Sequence, residues 1–225
     1  MQEAHKYNDY LLNLVLSEGR GAPLALDFGA GIGTFASELR KYGTRVICVE
    51  PDPSLRRRLL VNDFEAHESL ELIREKSVAY IYSLNVLEHI EDDLEALGEL
   101  YRRLMPGGTL LIYVPAFQIL FSSADKRIGH KRRYTKAVLV RRLEMAGFEV
   151  DQARYVDSLG FWVALLFKII GNREGRVSPL AVKIFDKWIF PLSLTLDHVM
   201  SRFAGKNILV VAHRPRDAAQ GGTCC

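Results

Sequence analysis

Asp27, Gly29, Gly31, Gly33 and Glu50 are the residues whose types and spacing could hold a nucleotide-like ligand. In LALDFGAGIGTF an acid closes an apolar run and three glycines alternate after it; in VICVEPD a second acid, Glu50, closes the next run. Alternating glycines let a ligand lie close against the backbone and meet its N–H groups. A triphosphate site needs a Lys-Ser or Lys-Thr pair after the glycines, where this chain has Thr34-Phe35. A dinucleotide fingerprint needs a third small residue where Thr34 stands. Asp27 beside the turn repels a pyrophosphate and attracts a cationic amine or sulfonium. Glu50, with two acceptor oxygens, is placed for both hydroxyls of a ribose. A Gly-rich turn that only permits close strand–helix packing is the plain alternative.

A second group lies in SSADKRIGHKRRYT, residues 122–135. His130 is a candidate general base near neutral pH, with Asp125 to orient it. Arg132 and Arg133 suit a carboxylate or phosphate, and Tyr134 stands beside them. Against this, a basic run is often only a solvated loop. His89, after Glu88, is a weaker candidate. His5, Tyr7 and Tyr10 fall on an N-terminal helix that either covers the ligand or simply packs. Arg56–Arg58, Arg102-Arg103 and Arg141-Arg142 read as solvated helix faces.

Strands and helices must alternate to position these groups. Apolar runs predict strands at Leu24–Phe28, Arg45–Glu50, Val78–Leu84, Thr109–Val114, Phe148–Tyr155 and Asn207–His213, with a weaker one near Phe64–His67. Leu94, Leu97, Tyr101 and Leu104 recur at helical spacing, and Pro106-Gly107-Gly108 stops that helix. Thr135 is the N-cap and Gly147 the C′ residue of another. This is the pattern of an α/β, doubly wound, Rossmann-like sheet whose ligand crevice lies beyond the strands' carboxyl ends.

The chain reads as a single domain over 1–225. Its core is 20–157 plus 206–214, with a helical insertion at 158–205 and a disordered tail at 215–225. In the insertion, LGFWVALLFKII is too short to span a bilayer. Leu180, Ile184, Phe185, Trp188 and Ile189 make an apolar face opposite Lys183, Asp186 and Lys187, and Pro191 ends or kinks the helix. The segment is expected to cap the acceptor side, with contact to a membrane surface or to a second copy as alternatives.

The 225 residues are 48% hydrophobic and 25% charged, an ordinary globular balance. A net charge of +3 gives no reason to expect a nucleic-acid partner. Cys48, Cys224 and Cys225 make neither a disulfide framework nor a metal-ligand spacing, so no metal is expected. The first residues lack the pattern of a signal peptide, so a cytoplasmic setting is expected, with a peripheral place at a membrane as the variant.

LDFGAGIGT followed by VICVEPD resembles motif I and the acidic loop of class I S-adenosylmethionine-dependent methyltransferases. YSLNVLEHIEDD, LMPGGTLLIYVPA and AGFEV resemble the fourth-, fifth- and sixth-strand motifs of their small-molecule branch, in the same order. The string D-x-x-x-G-H-x-R-R-Y-T is similar to one in a bacterial subset of the family. The resemblance implies a seven-stranded sheet whose last strand is antiparallel, and S-adenosyl-L-methionine as cofactor. It implies that Asp27, Gly29, Gly31 and Glu50 contact the cofactor, with Gly33 completing the turn. Pro51 would lie near its adenine, and Leu84 and Asn85 near its methionine end. Ser83-Leu84-Asn85-Val86 stands where methylases of nucleobases or glutamine carry an Asn-Pro-Pro-Tyr-type turn, which argues against a DNA base or glutamine as substrate; the expected acceptor is a small molecule, methylated at oxygen, of hydrophobic or anionic character. A nicotinamide-dependent oxidoreductase, an RNA methyltransferase and a non-catalytic cofactor-binding protein are the other readings.

Overall fold

The apolar run before the glycine turn becomes the centre of a sheet. In the computed structural model, which describes residues 4–170 and 179–217, β1 (Leu24–Phe28) pairs in parallel with β2 (Arg45–Val49) and β4 (Val78–Leu84). β3 (Glu65–His67) extends the β2 side, and β5 (Leu104–Pro115) runs parallel to β4. β7 (Asn207–His213) enters antiparallel between β5 and β6 (Glu149–Val156). The order is β3-β2-β1-β4-β5-β7-β6, the doubly wound seven-stranded sheet with an antiparallel last strand that the sequence predicts.

Successive residues of a strand point to opposite faces, and helices cover both. Ala25, Val46, Cys48, Tyr80, Tyr82 and Tyr113 pack with α1 (His5–Gly19), α2 (Thr34–Lys41) and α3 (Pro53–Val61). Leu26, Ile47, Ile81, Ile112 and Val210 pack with α4 (Asp93–Arg103) and α6 (Lys136–Met145) on the other face. Double-sided burial explains why these strands read as unbroken apolar runs.

Two local expectations are corrected. α4 stops at Arg103, and Leu104 begins β5 opposite Val78 rather than continuing the helix. Pro106-Gly107-Gly108 lies inside β5, where the register against β4 shifts between Val78 and Tyr80. The Pro-Gly-Gly run is therefore a strand bulge, the setting in which a strand tolerates such residues. By contrast, the Thr135 side chain accepts from Val138 N at the start of α6, and Gly147 follows the helix with φ 101°.

The insertion forms α7 (Ser158–Ile170), α8 (Pro179–Ile184) and α9 (Phe190–Met200), with a π turn at Phe185–Ile189 joining the last two. Helix continues through Pro191, and the wider π turn before it takes up the irregularity. The expected apolar face is not the inward one. Leu180, Ile184 and Trp188 are exposed, whereas Asp186, Phe190, Ser193 and Asp197 are buried. The physical reason is capping: Asp186 accepts from Lys6 N and Tyr7 N at the start of α1, and Asp197 accepts from Asp157 N and Ser158 N at the start of α7. The expected tail lies outside the described residues from 218 onward, as do Cys224 and Cys225 and the middle of the insertion, residues 171–178.

Candidate functional site

The carboxyl ends of β1, β2 and β4 converge on the glycine turn. Gly29 N and Ala30 N donate to Val49 O at 2.9 and 3.1 Å, which ties the turn to the end of β2. A Cβ at Gly29 would run into the Val86 side chain, and its φ is 85°. Around Gly31, φ 56°, there is nothing within 4 Å of where a Cβ would sit, so that side of the turn is open to a ligand. Gly33, φ 80°, leads directly into α2.

Glu50, just past β2, turns back over this turn. Its Oε2 accepts from Gly31 N at 2.8 Å and its Oε1 from Asp52 N at 3.0 Å. Each oxygen keeps a further lone pair, so the carboxylate can clasp the turn and still accept a ligand hydroxyl. Arg56 Nη1 donates to Glu50 O and Pro51 O, fixing the chain where Pro51 lies exposed at the rim. Asp27 is buried, and its Oδ2 has no hydrogen-bond partner. Burial, and then the charge of Glu50, push its pKa up to about 7. A buried carboxyl with one oxygen unpartnered, beside an open backbone turn, fits a ligand that brings a cation and hydroxyls together. Leu84 ends β4, and Asn85, φ 56°, donates its N–H to Tyr113 O at 2.7 Å.

A second polar cluster stands after the same strand. Glu88 is wholly buried, and neither carboxyl oxygen has a hydrogen-bond partner. Burial raises its pKa to about 8. His130 packs its ring edge-to-face on His89, centroids 4.7 Å apart. Its Nδ1 lies 2.9 Å from Asp125 Oδ1, and its Nε2 faces Glu88 Oε1 at 3.6 Å. The structure thus joins His130 and Asp125 as expected, and adds Glu88 and His89, which the sequence marks only weakly. A buried acid is visible only once residues 122–135 fold over it, and Lys131 N donating to Glu88 O at 2.8 Å is the contact that does so.

Arg133, Tyr134 and Arg132 are engaged within the protein. Arg133 grips Asp125 with Nε at 2.9 Å and Nη2 at 3.1 Å, a bidentate pair that holds Asp125 ionised behind His130. Tyr134, buried, donates to Asp93 Oδ2 at 2.6 Å and to Leu87 O at 3.2 Å. Arg132 donates to Glu91 O at 2.8 Å and pairs with Asp93. These contacts fasten the segment to the start of α4, and Arg142 of α6 also pairs with Asp93.

The insertion borders this side. The Phe161 ring meets Phe117 at 5.1 Å, and Lys168 Nζ donates to Ile119 O and Phe121 O. Phe190 packs on Tyr7 and Tyr10 of α1, so α1 and the insertion form one wall over the ends of β5 and β6.

The family described as "Methyltransferase domain" matches residues 2–153. A relative from Mycolicibacterium smegmatis, described as a "probable S-adenosylmethionine-dependent methyltransferase", is 32% identical over 143 residues. That match covers 60% of this chain and 53% of the relative, so the chain spans about half the relative's length. A SAM-dependent methyltransferase from Archaeoglobus fulgidus superposes with a TM-score of 0.64 at 17% identity, covering 93% of this chain and 94% of that one. An S-adenosylmethionine-dependent methyltransferase from Mesorhizobium loti gives 0.61 at 16% identity, covering 91% and 96%. At these identities the solved structures share the fold.

Proposed function

This chain belongs to the methyltransferase-domain family, and from that premise we propose that it transfers a methyl group from S-adenosylmethionine to a small-molecule acceptor, at oxygen. The cofactor supplies a methyl group on a cationic sulfur. What carries this is the frame around Gly31: an open backbone turn, the Glu50 carboxylate clasping it, and the buried Asp27 with its Oδ2 unpartnered. Gly29, Gly31 and Gly33 shape the turn, Glu50 accepts the ribose hydroxyls, and Asp27 faces the cationic part. Pro51 borders the adenine, and Leu84 with Asn85 borders the methionine end. On the acceptor side, His130 aligned by Asp125, with Glu88 and His89, eases loss of the acceptor's proton, and Arg132 adds positive charge at the rim. Arg133 and Tyr134 position that cluster. Isothermal titration with S-adenosylmethionine and its demethylated product tests this. We expect binding of both, weakened on the order of 10- to 100-fold in Glu50→Ala, the worth of hydrogen bonds to a charged acceptor. No binding at near-millimolar ligand overturns it.

The insertion favours a hydrophobic or lipid-like acceptor. Ten of the nineteen exposed large apolar side chains among the described residues lie on it, Trp162, Trp188 and Phe203 included. Lys187 Nζ sits 5.4 Å from the Trp188 ring centroid, the aromatic–basic pairing suited to an anionic bilayer surface. No helix among the described residues is long and apolar enough to cross a membrane. A cytoplasmic enzyme working at a membrane surface accords with both, and Cys48 is free and buried.

A further inference from the structure

We infer that Glu88, His89 and His130 form a binding site for a first-row divalent transition cation, with at least one coordination position left for an oxygen ligand from the crevice. Each residue offers one ligand atom, and the three atoms lie within 4.8 Å of one another. Bonds of about 2.0–2.2 Å to one ion separate its ligand atoms by roughly 3–3.5 Å, so small side-chain rotations close the site. The 3.6 Å between His130 Nε2 and Glu88 Oε1 is too long for a good hydrogen bond and close to that ligand–ligand spacing.

Three features favour an ion there over three mutually packed side chains. Glu88 is wholly buried with both oxygens unpartnered, and a cation is the partner that such a carboxylate lacks. His130 turns its Nδ1 to the Asp125 carboxylate, an acceptor, at 2.9 Å, which points Nε2 toward Glu88. A carboxylate behind a histidine in this way is the usual outer partner of a metal-bound imidazole. Asp125 is itself fixed by Arg133 and by Ser122 N, so the imidazole orientation is set before any ion arrives. Two imidazoles and one carboxylate make a borderline N/O set, suited to zinc, cobalt, iron or manganese rather than to the all-oxygen shells of calcium or magnesium. The sequence gives no sign of it, because the ligands come from segments on either side of α4 and β5.

The site lies in the acceptor half of the proposed methyltransferase, and that reading is used only to say what the open position faces. The test is titration of metal-stripped protein with Co2+ alone, followed by its visible d–d absorption. One equivalent should give a saturable four- or five-coordinate spectrum, and Zn2+ should displace it. His89→Ala, at an exposed position, and Glu88→Gln should each weaken Co2+ at least tenfold. Asp125→Asn should shift the spectrum and weaken binding less. Circular dichroism and S-adenosylmethionine titration of each variant report folding and the cofactor half separately. A folded wild type without a stoichiometric spectrum, or variants that keep full cobalt affinity, overturns the metal site and leaves the methyltransferase reading standing. Cobalt bound with no cofactor binding overturns the latter instead.

Discussion

Asp27 shows how one residue couples charge to ligand. Its position was legible, since an acid closing an apolar run before glycines must fall at a strand's carboxyl end. Its depth was not, because burial depends on the flanking strands, which set Cys48 and Tyr82 beside it in register. With its folded pKa raised from 3.8 to about 7, the native state holds the proton more tightly than the unfolded chain. The stability this contributes is present at low pH and is lost as pH rises through about 7. Cofactor binding should run the other way, because only the ionised carboxyl attracts a cation. Affinity should rise by at most about tenfold per pH unit below 7 and level off above it. Asp27→Asn should bind more weakly and lose this dependence. A pH-independent wild type in titrations between pH 5.5 and 8 would remove Asp27 from the site. Glu88 is the opposite case in sequence terms: an acid in NVLEHIEDD looks like any helix-start acid until residues 122–135 close over it.

Among the elements, boundaries set by local chemistry were legible and those set by distant contacts were not. Thr135 and Gly147 delimit α6 by their own side chain and backbone, and the sequence places both. Leu104 has helical spacing, but pairing with Val78 draws it into β5. α1 is the clearest long-range case. Its N-cap is Ala4, which offers no side-chain cap, and the acceptor for Lys6 N and Tyr7 N is Asp186, which follows α8. Asp186→Ala should therefore cost about 0.5–2 kcal/mol, like loss of a local N-cap, and should speed amide exchange in the first turn of α1. The same change at Asp52, which caps α3 from within, should leave α1 protection unchanged. Equal exchange in wild type and Asp186→Ala would show that packing of Tyr7 and Tyr10 on Phe190 alone holds the helix.

Taken as a whole, the molecule uses its insertion as both wall and surface. Inward, buried Asp186, Ser193 and Asp197 cap other helices, and Phe190 fills the space against α1. Replacing 158–205 with a short Gly-Ser link would strip these groups, so we expect that variant to lose cooperative unfolding rather than lose turnover alone. Point changes on the outer rim are therefore the way to examine the outward role. Trp162, Leu166, Trp188, Val199 and Phe203 are each more than half exposed, and together they give the insertion apolar side chains to offer a membrane surface. The chain's net charge of +3 adds an attraction to anionic lipid that salt screens. In a flotation assay the protein should rise with vesicles of phosphatidylcholine and phosphatidylserine, rise less with phosphatidylcholine alone, and rise less as salt increases. Trp162→Ser combined with Trp188→Ser should abolish flotation while leaving cofactor affinity within about twofold, since neither side chain approaches the Gly31 turn. Protein that stays unbound to both vesicle types, and instead dimerises with concentration in sedimentation, would assign the rim to a second copy of the chain.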